Sequence, residues 1–176
     1  MEELKILLEQ LAGCKKREIE LNIRIDELSD FIENTSVPLH WVNGSGIIIW
    51  ANKAELDLLG YSKEDYVGKH ISNFHADQNI IEDILRRLIN KETLKNYQAT
   101  LKSKNGKIIP VVINSNVRWE GNKFIHTRCF TRDISDLKKL EEEKIELIND
   151  LQEKNRILKE ENDRLKRRLK IKDYDL

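Results

Sequence analysis

Histidine and cysteine are the side chains of this sequence most able to bind a metal or act as nucleophiles, and the chain has four of the first and two of the second. A metal site built on one helix needs ligands at a set spacing, such as His-x-x-x-His. No such spacing occurs among His40, His70, His75 and His126. Cys14 and Cys129 are too few for a disulfide framework or a zinc centre. We therefore expect no metal site and no catalytic residue.

The overall charge excludes several classes of partner. The chain has 176 residues with 31 basic and 31 acidic side chains, so its net charge is zero. Zero charge argues against binding nucleic acid or a membrane surface through bulk electrostatics. No apolar run approaches the roughly 18–20 residues needed to span a bilayer, and the first residues lack the pattern of a signal peptide. We expect a cytoplasmic protein that contacts no membrane and does not bind nucleic acid.

The N-terminal segment has the seven-residue periodicity of a coiled coil. Apolar residues alternate at intervals of three and four, with Glu18 as the one flaw. The predicted helix ends before Pro38, which cannot continue it. The dimer seam is expected at Leu7, Leu11, Cys14, Leu21, Ile25 and Leu28.

The C-terminal segment repeats this pattern in a highly charged sequence without Gly or Pro. Leucine at the d positions with asparagine at the a positions favours a parallel two-stranded coil, because facing asparagines satisfy each other in one register. Glu141 and Lys144 interrupt the seam close to the central segment. The basic residues between Arg164 and Lys172 are interpreted as a solvated helix end. This seam is expected at Ile148, Leu151, Asn155, Leu158, Asn162 and Leu165.

Between these helical arms the sequence alternates short apolar segments and helical patterns. Asn43–Gly46 and Lys104–Gly106 are turn signals between apolar runs, and Glu120–Asn122 is a third. A helix is predicted from Asn79 to Asn90, with isoleucine and leucine on one side. The order β-β-α-α-α-β-β-β predicts an α+β fold, with a five-stranded antiparallel sheet and helices on one face.

Four segments of this region resemble the PAS domain family. They are Trp50–Glu55, Leu59–Lys69, the turn Lys104–Lys107 and the closing segment Phe130–Ser135. The resemblance covers roughly residues 30–136 and is closest to sensory PAS modules of bacterial signalling proteins such as histidine kinases. It implies a PAS fold and a sensory role. We expect a coiled-coil helix over 1–33, a PAS domain over 34–136 and a second coiled-coil helix over 137–176.

A ligand pocket would lie between the sheet and the helices, where a largely apolar lining with a few polar groups is what a small ligand needs. The same lining describes a filled core, so both interpretations stay open. For Trp41 a second alternative is that it covers the open face of the sheet against the N-terminal helix. The resemblance leaves the cofactor, haem or flavin included, open: the predicted long helix lacks the His of haem-binding PAS domains and the segment 70–77 lacks the Cys of flavin-binding ones. The pocket candidates are Trp41, Asn52, His75, Tyr97, Ile113 and Ser115.

The junction between the last strand and the C-terminal helix contains Asp133 and Ile134. As a helix N-cap, the Asp133 carboxylate would accept hydrogen bonds from free amides of the first turn. The resemblance implies a further role, coupling of the sheet to the signalling helix. We predict a homodimeric sensor that relays a ligand, redox or partner signal through parallel coils to a signalling output, as in two-component systems. The alternative is a coiled-coil scaffold whose core serves protein–protein interaction.

Overall fold

A computed structural model of the chain describes residues 2–172, and Met1 and the predicted helical residues 173–176 lie outside the described residues. The chain divides into two structural units, one up to Asp133 and one from Ile134 onward. The elements in chain order are α1 (Glu2–Asn34), β1 (Leu39–Val42), β2 (Ile48–Ala51), α2 (Lys53–Leu59), α3 (Lys63–Tyr66), a 3₁₀ helix (Ile71–Phe74), α4 (Gln78–Ile89), β3 (Leu94–Lys102), β4 (Ile108–Glu120), β5 (Lys123–Asp133) and α5 (Ser135–Lys172).

The five strands form one antiparallel sheet in the order β2-β1-β5-β4-β3. The predicted α+β fold with a five-stranded sheet is therefore confirmed. Strands β3, β4 and β5 form a meander, since the turns between them are too short for any other pairing. The first hairpin joins the meander through β1 and β5, where His40 is the Cα partner of Cys129. The 3₁₀ helix was not predicted from the sequence.

Local side chains define where the short helices begin. Asn52 is the N-cap of α2 and accepts a hydrogen bond from the Glu55 amide, and Ser62 caps α3 in the same way through the Asp65 amide. Asp77 caps α4 through the amides of Asn79 and Ile80. Gly60 ends α2 with a φ of 72°, a left-handed conformation that glycine adopts without strain.

The core lies between one face of the sheet and the short helices. Strand alternation sends every second side chain to this inner face, and α4 contributes the apolar stripe predicted from its periodicity. The buried apolar side chains include Val42, Ile48, Leu59, Tyr66, Phe74, Ile81, Leu88, Leu101, Val111 and Ile113.

The other face of the sheet carries a row of aromatic rings. Trp41 stacks on His126 with ring centroids 4.3 Å apart, and Trp50 lies 4.8 Å from Trp41. The last residues of α1 line a groove with the two tryptophans. The Asn52 amide ties this end of α1 to the core by donating to the Ile32 carbonyl.

The apolar residues of the long helices are exposed in the single chain, including all the predicted seam leucines and isoleucines of α1 and α5. In the second unit, α5 is a helix of 38 residues with ion pairs between neighbouring turns, such as Lys154–Asp150 and Arg156–Glu160. No helix within residues 2–172 combines the length and hydropathy needed to cross a lipid bilayer.

Candidate functional site

The six pocket candidates do not converge on one cavity. Ile113, Ser115, Asn52 and His75 are buried, whereas Trp41 and Tyr97 are only partly covered. Trp41 lies on the outer face of the sheet beside the end of α1, which is the alternative location that the sequence left open for it.

Both polar atoms of the Asn52 side chain form hydrogen bonds within the protein. Its oxygen accepts from the amides of Leu39 and Glu55 at 2.9 and 3.0 Å. Its nitrogen donates to the carbonyls of Ile32 and Val37 at 3.2 and 2.9 Å. An amide side chain with both atoms bonded twice has little capacity left for a ligand. Asn52 therefore joins α1, β1 and α2.

Tyr97 is held at the surface of the sheet by α4. Its hydroxyl donates to the Asp83 carboxylate at 2.7 Å, and the Arg87 guanidinium lies 5.6 Å from its ring centroid. The hydrogen bond to the Asp83 carboxylate raises the Tyr97 pKa above its ordinary value. Tyr97 thus fastens β3 to α4 at the edge of the core.

A group of polar residues lies inside the core, and we call it the polar cluster: His40, Glu55, Tyr66, Ser115, Thr127, Cys129 and Thr131, all buried. At its centre, Nδ1 of His40 lies 2.9 Å from Oε1 of Glu55. The Tyr66 hydroxyl donates to the same oxygen at 3.0 Å. Glu55 is fully buried and His40 is 4% exposed, so these two groups form an ion pair away from water.

His40 and Glu55 each stabilise the charged form of the other. Burial alone would lower the His40 pKa, but the Glu55 carboxylate outweighs it, with Cys129 adding to the effect, and the pKa rises to about 10. Burial alone would raise the Glu55 pKa, but the His40 charge and the hydrogen bonds from His40 and Tyr66 bring it below its usual value. A buried pair of this kind is costly to break, because removing one partner leaves the other without compensation.

Cys129 extends the polar cluster from β1 into β5 and β4. Its sulfur lies 2.9 Å from the Ser115 hydroxyl and 3.2 Å from the Thr127 hydroxyl. Burial alone would raise the Cys129 pKa, but the charge and hydrogen bond of His40 and the hydroxyls of Ser115 and Thr127 lower it. The structure thus gives Cys129 polar partners on three strands.

His75 is a second buried histidine with the opposite behaviour. Burial, and then the charge of His40, lower its pKa to about 4, so it is neutral at physiological pH. Its Nδ1 has no hydrogen-bond partner among the described residues. The two histidines of the core therefore differ in charge, one paired with a carboxylate and one not.

Asp133 is the last residue of β5, and Ile134 separates it from the first residue of α5. It lines a groove of about 480 Å³ at the end of α2, together with Asp57, Lys104 and Lys107. The assigned helix begins two residues later, at Ser135, and the capping role of Asp133 stays a prediction.

Histidine placement follows from strand alternation. His40 points into the core, whereas His126 on the neighbouring strand stacks on Trp41 at the outer face. Within residues 2–172, no group of three or more His, Cys, Asp or Glu side chains is arranged to hold a metal ion.

The sequence analysis missed the polar cluster because its members are distant in the chain. One signal was available: Glu55 lies four residues before Leu59, on the apolar side of the predicted helix α2. A carboxylate on a buried stripe needs a partner. Pairing it with His40 required the position of α2 over β1, which periodicity does not give.

Comparison with known proteins supports the fold assignment. The family model described as "PAS domain" matches residues 36–136. Among curated proteins, none matches the chain.

Solved structures are similar in fold. The PAS domain of an HTR-like protein from Haloarcula marismortui has a TM-score of 0.60 and 20% identity, covering 68% of this chain and 99% of that one. A domain of a sensory box sensor histidine kinase/response regulator from Geobacter sulfurreducens has a TM-score of 0.55 and 16% identity, covering 64% and 96%. The LOV domain of a blue-light-activated histidine kinase from Erythrobacter litoralis has a TM-score of 0.51 and 15% identity, covering 57% and 98%.

The matched region runs from two residues after α1 to the first turn of α5, and it contains the whole sheet, its helices and the polar cluster. It exceeds half of the chain. This chain belongs to the PAS domain family.

Proposed function

We propose that this protein is a homodimeric PAS sensor module that receives a signal in its core and relays it through parallel coiled coils. The observation that carries the proposal is the continuity of β5 with α5, interrupted only by Ile134. A shift in a central strand is transmitted directly to the start of a helix of 38 residues. In this proposal the protein senses and relays, has no catalytic role, and passes the signal to a separate output protein or domain.

Dimerisation is supported by the exposed apolar residues of both long helices. Isolated helices are marginal in water, and most of their stability in proteins comes from packing an apolar face. On α5 this face would be covered by a second copy, because Leu151, Leu158 and Leu165 recur at one heptad position and Asn155 and Asn162 at the other. That composition favours a parallel pair.

The coupling residues in this proposal are Asp133 and Ile134, because Asp133 ends β5 and Ile134 alone separates it from α5. Glu141 and Lys144 follow at seam positions where apolar residues would give the strongest pairing. A weakly paired segment next to the core is suited to two alternative arrangements with similar free energies. The signal is proposed to change the balance between them.

The experiment that tests the dimer uses Cys14, which occupies a predicted d position of the α1 seam and is exposed in the single chain. In a parallel, in-register pair the two Cys14 side chains face each other across the axis. Mild oxidation should give a covalent dimer on a non-reducing gel, lost in Cys14→Ser and kept in Cys129→Ser. In the proposed cytoplasmic location Cys14 stays a thiol.

Sedimentation equilibrium of the untreated full chain is the companion measurement. A dimer at micromolar concentration agrees with the proposal, and a monomer contradicts it. A dimer that cross-links only through Cys129 contradicts the proposed heptad register while leaving the oligomeric state intact.

The second candidate is a scaffold whose PAS core only binds protein partners. It is favoured by the internal pairing of the pocket candidates: Asn52 and Ser115 are hydrogen-bonded within the core, and Tyr97 is bonded to Asp83. Cross-linking along residues 137–147 separates the two. Patterns that change when the core receives its signal favour the sensor, and invariant patterns favour the scaffold.

A further inference from the structure

The polar cluster contains the three groups of an activated thiol. Cys129 and His40 are Cα partners on adjacent strands, and the imidazole interacts with the thiol. The same ring is held by the Glu55 carboxylate, with Nδ1 and Oε1 2.9 Å apart. A thiol next to an imidazole, which is in turn next to an orienting carboxylate, is the arrangement by which proteins increase the nucleophilicity of cysteine.

The surroundings of the sulfur favour its charged form. Two hydroxyls, of Ser115 and Thr127, lie at hydrogen-bond distance from Sγ. Because Glu55 keeps His40 protonated, the imidazolium faces the sulfur with a positive charge. The Cys129 pKa is held below its ordinary value by that charge and by these hydrogen bonds, against the opposing effect of burial. Thiolate is the form of cysteine that attacks electrophiles.

A small cavity shares one residue with this site. It has a volume of about 200 Å³ and lies between the β1–β2 hairpin, the end of α4 and the start of β5. Its lining includes Thr127, whose hydroxyl is 3.2 Å from the Cys129 sulfur. Cys129 itself does not line the cavity and is 5% exposed. A sulfur covered in this way admits only a very small reactant.

One buried nitrogen coupled to this cluster has unused hydrogen-bonding capacity. Nδ1 of His75 has no hydrogen-bond partner among the described residues, whereas the Glu55 carboxylate also interacts with the Thr131 hydroxyl. Buried polar atoms in this condition are uncommon and call for a partner. His75 is also electrostatically coupled to both His40 and Glu55. The cluster is consequently suited to a small polar molecule rather than an apolar one.

We propose that Cys129, supported by His40 and Glu55, is a site of oxidation by hydrogen peroxide. The sulfur attacks one peroxide oxygen, so that an S–O bond forms as the O–O bond breaks. The sulfur loses two electrons and the peroxide gains them. The proton that the thiol gave up ends on the leaving oxygen, and the products are a sulfenic acid and water. A low-molecular-weight thiol, acting as reductant, would restore the thiol.

The position of Cys129 gives this reaction a consequence. An added oxygen atom must be accommodated between Ser115 on β4 and His40 on β1, in a core with little free volume. Cys129 is four residues before the end of β5, which continues into α5. Transmission to the helix rests on the proposed sensor function, whereas the oxidation does not.

The test uses the full chain carrying Cys14→Ser, so that Cys129 is the one thiol present. Hydrogen peroxide is added, and sulfenic acid is trapped with a cyclic 1,3-dione and located by mass spectrometry of peptides. Native protein should react faster than the same protein unfolded in urea, since only the native state places His40 beside the sulfur. A slower reaction in the native state overturns the proposal, because it means that burial simply protects the thiol.

The variant Glu55→Gln tests whether Cys129 is oxidised because its thiol is activated or only because peroxide can reach it. Without the carboxylate, burial removes the proton from His40 and the sulfur loses the facing charge. The rate should fall by about tenfold if the thiolate fraction falls by one pKa unit. The matched control is Glu64→Gln, an exposed carboxylate of the neighbouring helix α3. Folding of each variant is checked by tryptophan fluorescence. An unchanged rate in folded Glu55→Gln overturns the proposal, and if that variant does not fold, the native-against-urea comparison decides.

The experiments distinguish failure of the proposed dimeric relay from failure of the proposed oxidation site. If Cys129 is trapped but sedimentation of the oxidised chain shows a monomer, the oxidation site stands and the proposed dimeric relay fails. If the chain is a dimer and the native thiol is unreactive, the relay stands and the oxidation site fails.

Discussion

The core and the two long helices bury their apolar residues in different ways. In the core, one chain covers its own leucines, isoleucines and valines between sheet and helices. On α1 and α5, the apolar residues at heptad spacing are exposed in that same chain. The comparison teaches that one chain is enough to cover the apolar side chains of the core but leaves those of the long helices uncovered. It also places the buried charges in the core alone, since the ion pairs of α5 are exposed.

All three tryptophans lie in strands of the sheet, Trp41 in β1, Trp50 in β2 and Trp119 in β4, and none lies in the long helices. Tryptophan fluorescence therefore reports on the core, while far-ultraviolet circular dichroism is dominated by α1 and α5. The two signals allow each region to be perturbed and read separately.

The largest effect is expected from Glu55→Ala. It removes the partner of His40 and of the Tyr66 hydroxyl in a buried site. The free energy of unfolding of the core should fall by about 3–5 kcal/mol, the usual cost of breaking a buried pair. Urea denaturation followed by tryptophan fluorescence measures it. Glu64→Ala, which removes an exposed carboxylate from α3, is the control and should change little. Equal midpoints for the two variants would contradict the assigned role of the buried pair.

A change in the helices should be concentration-dependent, unlike the change in the core. Leu158→Ala removes a d-position side chain of α5, and the free energy of unfolding of the paired helix should fall by about 2 kcal/mol or more per chain. The neighbouring Ile157→Ala lies at a c position on the same helix and is the matched control. Thermal unfolding by circular dichroism at several protein concentrations makes the measurement.

The core serves as an internal control for the two helix variants. Tryptophan fluorescence should be the same in both helix variants. If Ile157→Ala destabilises the helix as much as Leu158→Ala, the predicted heptad register is wrong.

The next effect is a pH dependence confined to the core. His75 has a folded pKa of about 4 against an ordinary 6.5, so its contribution to stability is complete above 6.5 and is lost as pH falls towards 4. His40 has a folded pKa of about 10, so its contribution is complete below 6.5 and is lost as pH rises towards 10. Glu55, whose pKa is lowered, contributes above its ordinary value and loses that contribution as pH falls further.

Variants distinguish the two histidines. His75→Gln should flatten the loss of core stability between pH 6.5 and 4, and Glu55→Gln should remove the loss between pH 6.5 and 10, since His40 is then neutral throughout. Urea midpoints across the pH range give the profiles. His70→Gln, outside the polar cluster, should leave both limbs in place. If His75→Gln still loses core stability between pH 6.5 and 4, that loss is due to another titrating group.

The difference between the core and the long helices also bears on how much of the fold could be predicted from the sequence. Turn signals at Asn43–Gly46 and Lys104–Gly106, together with the periodicity of α4, were enough to predict a five-stranded antiparallel sheet with helices on one face. Local patterns of this kind depend on residues close in the chain. The heptads of α1 and α5 also predicted long helices, which the structure contains, whereas their pairing stays a prediction.

The candidate site was predicted less well for a physical reason. Its central pair joins His40 and Glu55 across elements whose relative position depends on tertiary packing, and Cys129 comes from a strand almost ninety residues later. Alternation gives which strand residues share a face, but not which helix covers them. Of the pocket candidates, Ser115 belongs to the polar cluster and His75 is electrostatically coupled to it, while Trp41 lies on the opposite face of the sheet.

The smallest effect is expected at the connection between the two regions. Asp133 ends β5 and is the Cα partner of Val111 on β4, next to the start of α5. Loss of a polar group at a helix start typically costs about 1 kcal/mol. That is small against the roughly 5–15 kcal/mol of a folded domain, so Asp133→Ala should leave the core folded by tryptophan fluorescence.

The effect of Asp133→Ala should instead be local and directional. If this residue fixes how the helix leaves the sheet, amide hydrogen exchange should accelerate in residues 137–147 while the protected amides of β4 and β5 keep their rates. Asp136→Ala is the control, because it removes a carboxylate from the first turn of α5 without touching β5. Faster exchange across all five strands would make Asp133 a stabilising residue of the core. Unchanged exchange in both regions would remove Asp133 from the proposed relay, and the connection would then depend on Ile134 and the backbone alone.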